Sequence, residues 1–224
     1  MWLIATFPSR KYEIENYPAI KKHLLSFDIR RLEQTGKKYF INGTQILARK
    51  KTNNKWYETQ DSIGYWDDFY KQKIIYPDIM RMPQRIEFLK EYPYFYLDEK
   101  NYFAEATNFI MTGKDIDLIY LFLTSELGFF AFSKYYSGPQ FDATGFRYKK
   151  AYLEETFIPV ISRKGVDILD ESINVSKINK NIDIEMNIIW AELIGLTTKE
   201  IEFISLYKEN LLGKPIINES NFIR

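Results

Sequence analysis

The sequence contains no cysteine and only one histidine among its 224 residues. Without cysteine there is no disulfide framework, no thiolate zinc site and no cysteine nucleophile. A single histidine, His23, excludes metal centres and catalytic pairs that need two histidines. Glycine and proline are also few, at 10 and 8 residues, which excludes a collagen-like or low-complexity chain.

Aromatic residues, in contrast, make up 17% of the chain and hydrophobic residues 46%. Such a composition excludes a disordered chain and suffices for one large domain or two small ones. The longest apolar stretch, 118–132, is shorter than the roughly 20 residues that span a bilayer and contains Glu126. Residues 1–8 have neither the basic region nor the apolar length of a signal peptide. We therefore expect a cytoplasmic protein with no membrane partner.

The near-neutral total charge of +1 conceals an uneven distribution. Residues 1–60 contain twelve Lys and Arg against five Asp and Glu, a net charge of +7, so the remainder of the chain sums to −6. Charge asymmetry of this kind indicates a polyanionic partner. The alternative is a solvated basic face that binds nothing.

Local patterns predict an α+β fold. In the first part they predict a strand over 2–7, a helix from Pro18 closed by Gly36, and a hairpin over 37–47 around Asn42-Gly43. The middle is predicted to hold strands at 73–76 and 109–111, a hairpin pairing 94–97 with 102–104, and helices over 116–127 and 129–136 separated by Gly128. Two further helices follow, over 182–193 and after a capping box at 197–200. We predict a mixed lobe over 1–160, a linker over 161–181 and a helical C-terminal segment over 182–224.

Known catalytic motifs are missing from the sequence. It contains no Gly-x-Ser-x-Gly elbow, no Walker A loop and no Gly-x-Gly-x-x-Gly fingerprint. The paired acids at 67–68 and 154–155 are sequence neighbours, which point in different directions on a helix and make poor catalytic dyads. We therefore predict no catalytic residue, no metal site and no cofactor in this chain.

The segment 49–57 combines cations, amides and aromatic residues. Lys and Arg neutralise phosphates, and an Asn carboxamide can bond adenine bidentately in the major groove. We expect the cations to position the protein on phosphates and Asn53 or Asn54 to contact a base edge. The alternatives are that the two Asn residues only form the turn, and that the segment is a mobile loop with Trp56 in the core. The predicted DNA-binding residues are Arg30, Arg31, Lys37, Lys38, Arg49, Lys50, Lys51, Asn53, Asn54 and Lys55.

Several segments together resemble a known family. They are 55–69 (KWYETQDSIGYWDDF), 71–76 (KQKIIY), 4–8 with 31–36, 121–127 (LFLTSEL) and 148–159. The combination resembles the TaqI-like C-terminal specificity domain, the target-recognition region of adenine-specific DNA methyltransferases and of fused restriction–modification enzymes. The chain departs from the family at 124–125, where Thr-Ser stands in place of the usual Asn-Ser.

The resemblance implies double-stranded DNA and a methyltransferase catalytic domain or subunit as partners, in a type II restriction–modification system. The family's catalytic part has an Asn-Pro-Pro-Tyr-type motif, whereas this chain has no Pro-Pro dipeptide and no recognisable loop for S-adenosylmethionine. S-adenosylmethionine, and Mg²⁺ if a nuclease is fused, are therefore expected in the parent enzyme only. The chain itself is expected to be a catalytically silent recognition module.

Two other hypotheses remain open at the level of sequence. The chain could be a structural fragment whose C-terminal helices bind a partner protein, with the basic loop incidental. It could also be a self-contained hydrolase with an unrecognised active site. The C-terminal helices resemble a helix-turn-helix in outline, but the acids at 200, 202 and 209 disfavour entry into a DNA groove, so we predict that they pack as a helical hairpin.

Overall fold

The computed structural model describes residues 3–85, 88, 91–104, 107–138, 145–159 and 189–212. The chain divides into two compact units, Met1–Trp66 and Asp67–Arg224. Helices and short antiparallel strands together give the predicted α+β fold. The predicted linker 161–181 lies outside the described residues, and of the predicted C-terminal segment 182–224 the structure describes 189–212.

The first unit is built from short helices and one hairpin. Two 3-10 turns, Pro8–Arg10 and Ile14–Asn16, precede helices α1 (Pro18–Leu25) and α2 (Ile29–Leu32). Strands β1 (Lys38–Ile41) and β2 (Thr44–Leu47) then pair antiparallel, as predicted. Both turn residues between them have positive φ, 49° at Asn42 and 78° at Gly43, a conformation that Asn-Gly adopts readily.

Two sequence predictions in this unit are wrong. The helix predicted from Pro18 towards Gly36 is broken at Asp28, whose φ is 70° and whose carboxylate accepts the backbone N–H of Arg30 to start α2. Residues 3–7 form no strand, because none of the strands in the described part of the chain pairs with them. Thr6 instead makes two isolated hydrogen bonds: its carbonyl accepts the backbone N–H of Thr59, and its hydroxyl donates to the Tyr57 carbonyl.

The second unit contains two small sheets. In one, β3 (Lys73–Pro77) lies between β5 (Tyr96–Asp98) and β6 (Asn108–Met111), both antiparallel to it. In the other, β4 (Ile79–Arg81) pairs with β7 (Gly145–Arg147). The predicted hairpin of 94–97 with 102–104 is wrong. The Asp98 carboxylate accepts the backbone N–H groups of Lys100 and Tyr102 and turns the chain, so β5 pairs with β3.

The helices of the second unit pack around an aromatic core. They are α3 (Ile116–Thr124), α4 (Glu126–Ala131) with a π-helical turn at Phe132–Tyr136, α5 (Lys150–Glu154), α6 (189–194) and α7 (Thr198–Leu212). The break between α3 and α4 falls at Ser125 and not at the predicted Gly128. Ser125 is extended (ψ 157°) and its hydroxyl caps α4 by accepting the Gly128 N–H.

Several of the described C-terminal residues belong to this core. Trp190 on α6 is fully buried, and Tyr207 on α7 packs edge-on against Phe130 on α4 with ring centroids 5.0 Å apart. Gly195 ends α6 with a φ of 75°, and the predicted capping box of Thr197 and Glu200 is present at the start of α7. Within the described ranges no single helix is long and apolar enough to cross a membrane. Ile116–Thr124 and Glu126–Tyr136 meet that criterion only as a pair bent by 74°.

Candidate nucleic-acid interface

The basic character of the first unit is concentrated in the hairpin and the loop that follows it. Residues 34–57 contain six Lys and Arg and no Asp or Glu. Over the whole unit, 1–66, twelve cations stand against six acids, a net charge of +6, whereas 67–224 sum to −5. The sign of the charge therefore changes between the two units.

Backbone hydrogen bonds continue beyond the hairpin and bring two pairs of lysines together. The Ala48 N–H donates to the Lys37 carbonyl at 2.8 Å, and the Gly36 N–H donates to the Arg49 carbonyl at 2.9 Å. A Cβ placed on Gly36 would lie 3.7 Å from the Cβ of Lys51. The segment with Lys37 and Lys38 consequently lies directly beside the segment with Lys50 and Lys51.

The side chains of this lysine cluster (Lys37, Lys38, Lys50 and Lys51) are all exposed. Arg31 on α2 and Asn53 in the loop are exposed as well. Among the residues that the structure describes, none of these six side chains has an ion pair or a hydrogen bond to another side chain or to the backbone. Their charges and amide group are available to a partner.

Arg49, also predicted to bind DNA, instead stabilises the loop. Its half-buried guanidinium donates to the carbonyl of Leu32 (2.7 Å from Nε), to that of Glu58 (2.8 Å from Nη1) and to that of Trp56. Burial lowers the pKa of Arg49, although the group stays protonated at neutral pH. The loop is therefore held around this side chain.

Arg30 is likewise engaged within the chain. Its guanidinium forms an ion pair with Asp28 at 2.6 Å and donates to the carbonyl of Phe40 at 3.2 Å. The hydrogen bond from the Arg30 side chain lowers the pKa of Asp28 to about 2. Arg30 thus joins α2 to strand β1, and only part of its charge faces solvent.

Lys55 has an acidic partner despite its exposure. Its ammonium group lies 2.9 Å from a Glu13 carboxylate oxygen and 5.7 Å from the Tyr57 ring centroid. The pKa of Lys55 is raised above its ordinary value, mainly by the hydrogen bond to Glu13 and to a smaller extent by the hydrogen bond to Tyr57. A phosphate would have to compete with Glu13 for this cation.

Asn54 and the two aromatic residues also have structural contacts. The Asn54 amide nitrogen donates to the carbonyls of Thr59 (3.0 Å) and Gln60 (2.9 Å), which uses both of its hydrogens. Tyr57 is the buried aromatic residue, and its hydroxyl donates to the Tyr12 carbonyl at 2.7 Å. Trp56, predicted to lie in the core, is only half-buried. Asn53 therefore remains the candidate for a base contact in this loop.

The outer face of the hairpin is not among the surfaces predicted from the sequence. Phe40 is 69% exposed and Leu47 66%, and they share that face with Lys38 and Gln45. Strict alternation along the two strands would have placed these four on one side. Whether that side of the hairpin is exposed, however, depends on which of its two faces the rest of the first unit covers.

The function of this basic surface has to be inferred from its own residues. Among the described residues there is no group of three or more His, Cys, Asp or Glu side chains that could hold a metal ion. No family model, curated protein or solved structure matches the chain.

Proposed function

We propose that the first unit binds double-stranded DNA and that the chain is the recognition module of an N6-adenine DNA methyltransferase. The observation that carries the proposal is the exposed lysine cluster on the hairpin and the following loop. Lysine ammonium groups are point charges suited to phosphate, and phosphate contacts supply most of the affinity for DNA. Arg31 and Asn53, which are exposed as well, offer a further cation and an amide group.

The distribution of charge supports a polyanion as the partner of this unit. The acid-free segment 34–57 attracts the DNA backbone, and the negative charge of 67–224 disfavours contact with DNA elsewhere. The hypothesis of a partner protein bound by the C-terminal helices rests on the exposed Phe203 and Leu206 of α7, since Trp190 and Tyr207 are buried inside the second unit.

The enzyme class is supported by the resemblance of the quoted segments to TaqI-like specificity domains. On this proposal the methyltransferase catalytic part binds S-adenosylmethionine and transfers the methyl group, and an endonuclease in the same system uses Mg²⁺. This chain supplies recognition only, in the cytoplasm where the DNA is. Incubated alone with S-adenosylmethionine and plasmid, it should neither methylate nor nick DNA above a heat-inactivated control.

Duplex binding at several salt concentrations tests the proposal. The logarithm of the association constant should fall by about 0.9 per log unit of salt for each phosphate contacted. Replacing Lys37, Lys38, Lys50 and Lys51 by Gln should lower this slope by up to about 3.6. The matched control replaces four exposed lysines of the second unit by Gln: Lys100, Lys114, Lys149 and Lys199. Absence of salt-dependent binding, or equal losses in both variants, would refute the proposal.

A further inference from the structure

The β1–β2 hairpin has one covered face and one open face. Ile41 is buried, and Tyr39 and Ile46 are half-buried, so they form the covered face. On the other face Phe40 is the cross-strand partner of Gln45, and Lys38 is the partner of Leu47. Such directly opposite residues have Cβ atoms about 4.5–5.5 Å apart. The open face is thus a compact patch of two apolar groups, one carboxamide and one cation.

The hairpin that presents this patch is held in place from behind. The Arg30 guanidinium donates to the Phe40 carbonyl, and the Tyr39 hydroxyl donates to a Glu33 carboxylate oxygen at 2.7 Å. The two-residue turn at Asn42-Gly43 sets the register of the strands. Phe40 and Gln45 are therefore already positioned before any partner arrives.

Charge and shape together favour duplex DNA as the occupant of the open face. Lys38 belongs both to this patch and to the lysine cluster, and the major groove of B-form DNA, about 12 Å wide, admits a two-stranded β-ribbon. A membrane surface fits less well, since the tip of the hairpin is polar (Asn42-Gly43-Thr44) and the apolar groups lie on its flat side. A groove contacts the flat side of a ribbon, whereas a bilayer would receive its tip.

We infer that the open face of the β1–β2 hairpin lies in the major groove and recognises an A·T base pair through Gln45, Phe40 and Leu47. This inference rests on the proposed DNA-binding function. An A·T pair presents the N6 donor and N7 acceptor of adenine beside the 5-methyl group of thymine. The Gln45 carboxamide matches the adenine edge, and the adjacent Phe40 and Leu47 side chains match the methyl group. Gln45, Phe40 and Leu47 are thus specificity-determining residues.

The inference is tested with the full chain and three duplexes that differ by single groups. The first alternates adenine and thymine, the second has uracil for thymine and so lacks the methyl, and the third has 7-deazaadenine and so lacks N7. The protein should bind the uracil duplex roughly fourfold more weakly for each methyl contacted. It should bind the 7-deazaadenine duplex at least about fivefold more weakly.

Variants assign each effect to a side chain. Phe40→Thr/Leu47→Thr should reduce discrimination against uracil, because a Thr methyl reaches less far than either side chain, and Gln45→Met should abolish discrimination against 7-deazaadenine, both with an unchanged salt slope. Phe157→Thr is the matched control, because Phe157 is also 69% exposed but lies in the second unit. Circular dichroism and thermal melting verify that every variant is folded.

The possible failures are distinguishable. Steep salt-dependent binding of all three duplexes with equal affinity would overturn the inference and leave the proposed function intact. No duplex binding at all would overturn the proposed function, and the inference with it. Suppose instead that Phe40→Thr/Leu47→Thr retains wild-type duplex discrimination but loses binding to phosphatidylserine-containing vesicles. The patch would then be a membrane contact, and the inference would be wrong.

Discussion

Lys73 and Asp98 form an ion pair whose side chains are both completely buried, and it joins β3 to β5 in the second unit. The Lys73 ammonium also donates to the Phe69 carbonyl at 2.7 Å. The Asp98 carboxylate accepts two backbone N–H groups at 2.8 Å. Each charge is therefore compensated by hydrogen bonds as well as by its partner.

Removing one partner of this pair should destabilise the second unit strongly. Lys73→Met leaves the Asp98 carboxylate buried without its counter-charge, and we expect a loss of about 3–5 kcal/mol in the free energy of unfolding. The double variant Lys73→Met/Asp98→Asn should lose less than the sum of the single variants. Urea denaturation followed by circular dichroism measures these values. Additive losses would show that the pair is not coupled.

The same pair should make stability depend on acid pH. Burial alone would raise the pKa of Asp98, but the hydrogen bonds from Lys73 and from the Lys100 and Tyr102 backbones outweigh it and lower this pKa below 3.8. A lowered carboxyl pKa stabilises the fold above the unfolded-state value, and the contribution disappears as pH falls through the folded-state pKa. Asp98→Asn should flatten the loss of stability below about pH 4. An unaltered acid profile would contradict this assignment.

Gly128 should be intolerant of any side chain. A Cβ at this position would lie 1.8 Å from the carbonyl oxygen and 2.8 Å from the carbonyl carbon of Phe122, both backbone atoms that cannot move independently. We expect Gly128→Ala to cost at least about 3 kcal/mol. Gly113→Ala is the control, because no described residue other than its two chain neighbours comes within 4 Å of its Cβ position, and it should change stability by less than about 0.5 kcal/mol. Equal melting temperatures for the two variants would refute the prediction.

Arg49 and Lys50 are sequence neighbours with different expected roles. Arg49→Ala leaves the carbonyls of Leu32 and Trp56 without this donor and should destabilise the first unit by about 1.5–3 kcal/mol. Arg49→Lys should not rescue it, since an ammonium group cannot reproduce the spread of guanidinium donors. Lys50→Ala should leave stability unchanged and weaken DNA binding. Hydrogen exchange of the amides over 30–60 measures the stability of this unit, and equal exchange in both alanine variants would contradict the assignment.

The sequence correctly predicts those parts of the structure that depend on the chemistry of a few neighbouring residues. The Asn42-Gly43 hairpin and the capping box of Thr197 and Glu200 follow from turn and cap preferences of a few residues, and both are confirmed. The predicted break between α3 and α4 at Gly128 is wrong, because it relies on the rule that glycine usually ends a helix, whereas the break falls at Ser125. Gly128 instead allows the close approach of the Phe122 carbonyl, a tertiary property that no local pattern reveals.

In the candidate site, too, local features could be predicted from the sequence and tertiary contacts could not. Composition located the basic segment, but it could not separate available cations from structural ones. The partners of Arg49 and Lys55 lie up to 17 and 42 residues away along the chain, so only the folded structure pairs them. Whether Phe40 is exposed or covered depends equally on the packing of the whole unit.

Asn53 and Asn54 provide the last test, because the two neighbours have the same chemistry and different surroundings. Asn54 donates both amide hydrogens to the carbonyls of Thr59 and Gln60, whereas Asn53 is exposed. Asn54→Ala should therefore destabilise the first unit by about 1–3 kcal/mol and weaken binding to every duplex alike. Asn53→Ala should leave stability unchanged. If Asn53 contacts a base, its loss should cost about 1–3 kcal/mol of discrimination between cognate and single-mismatch duplexes, measured with the chain joined to the methyltransferase part that the proposed function implies. Lys51→Ala is the control, since a lost phosphate contact weakens all duplexes equally. Unchanged discrimination in Asn53→Ala would show that this residue serves only the turn.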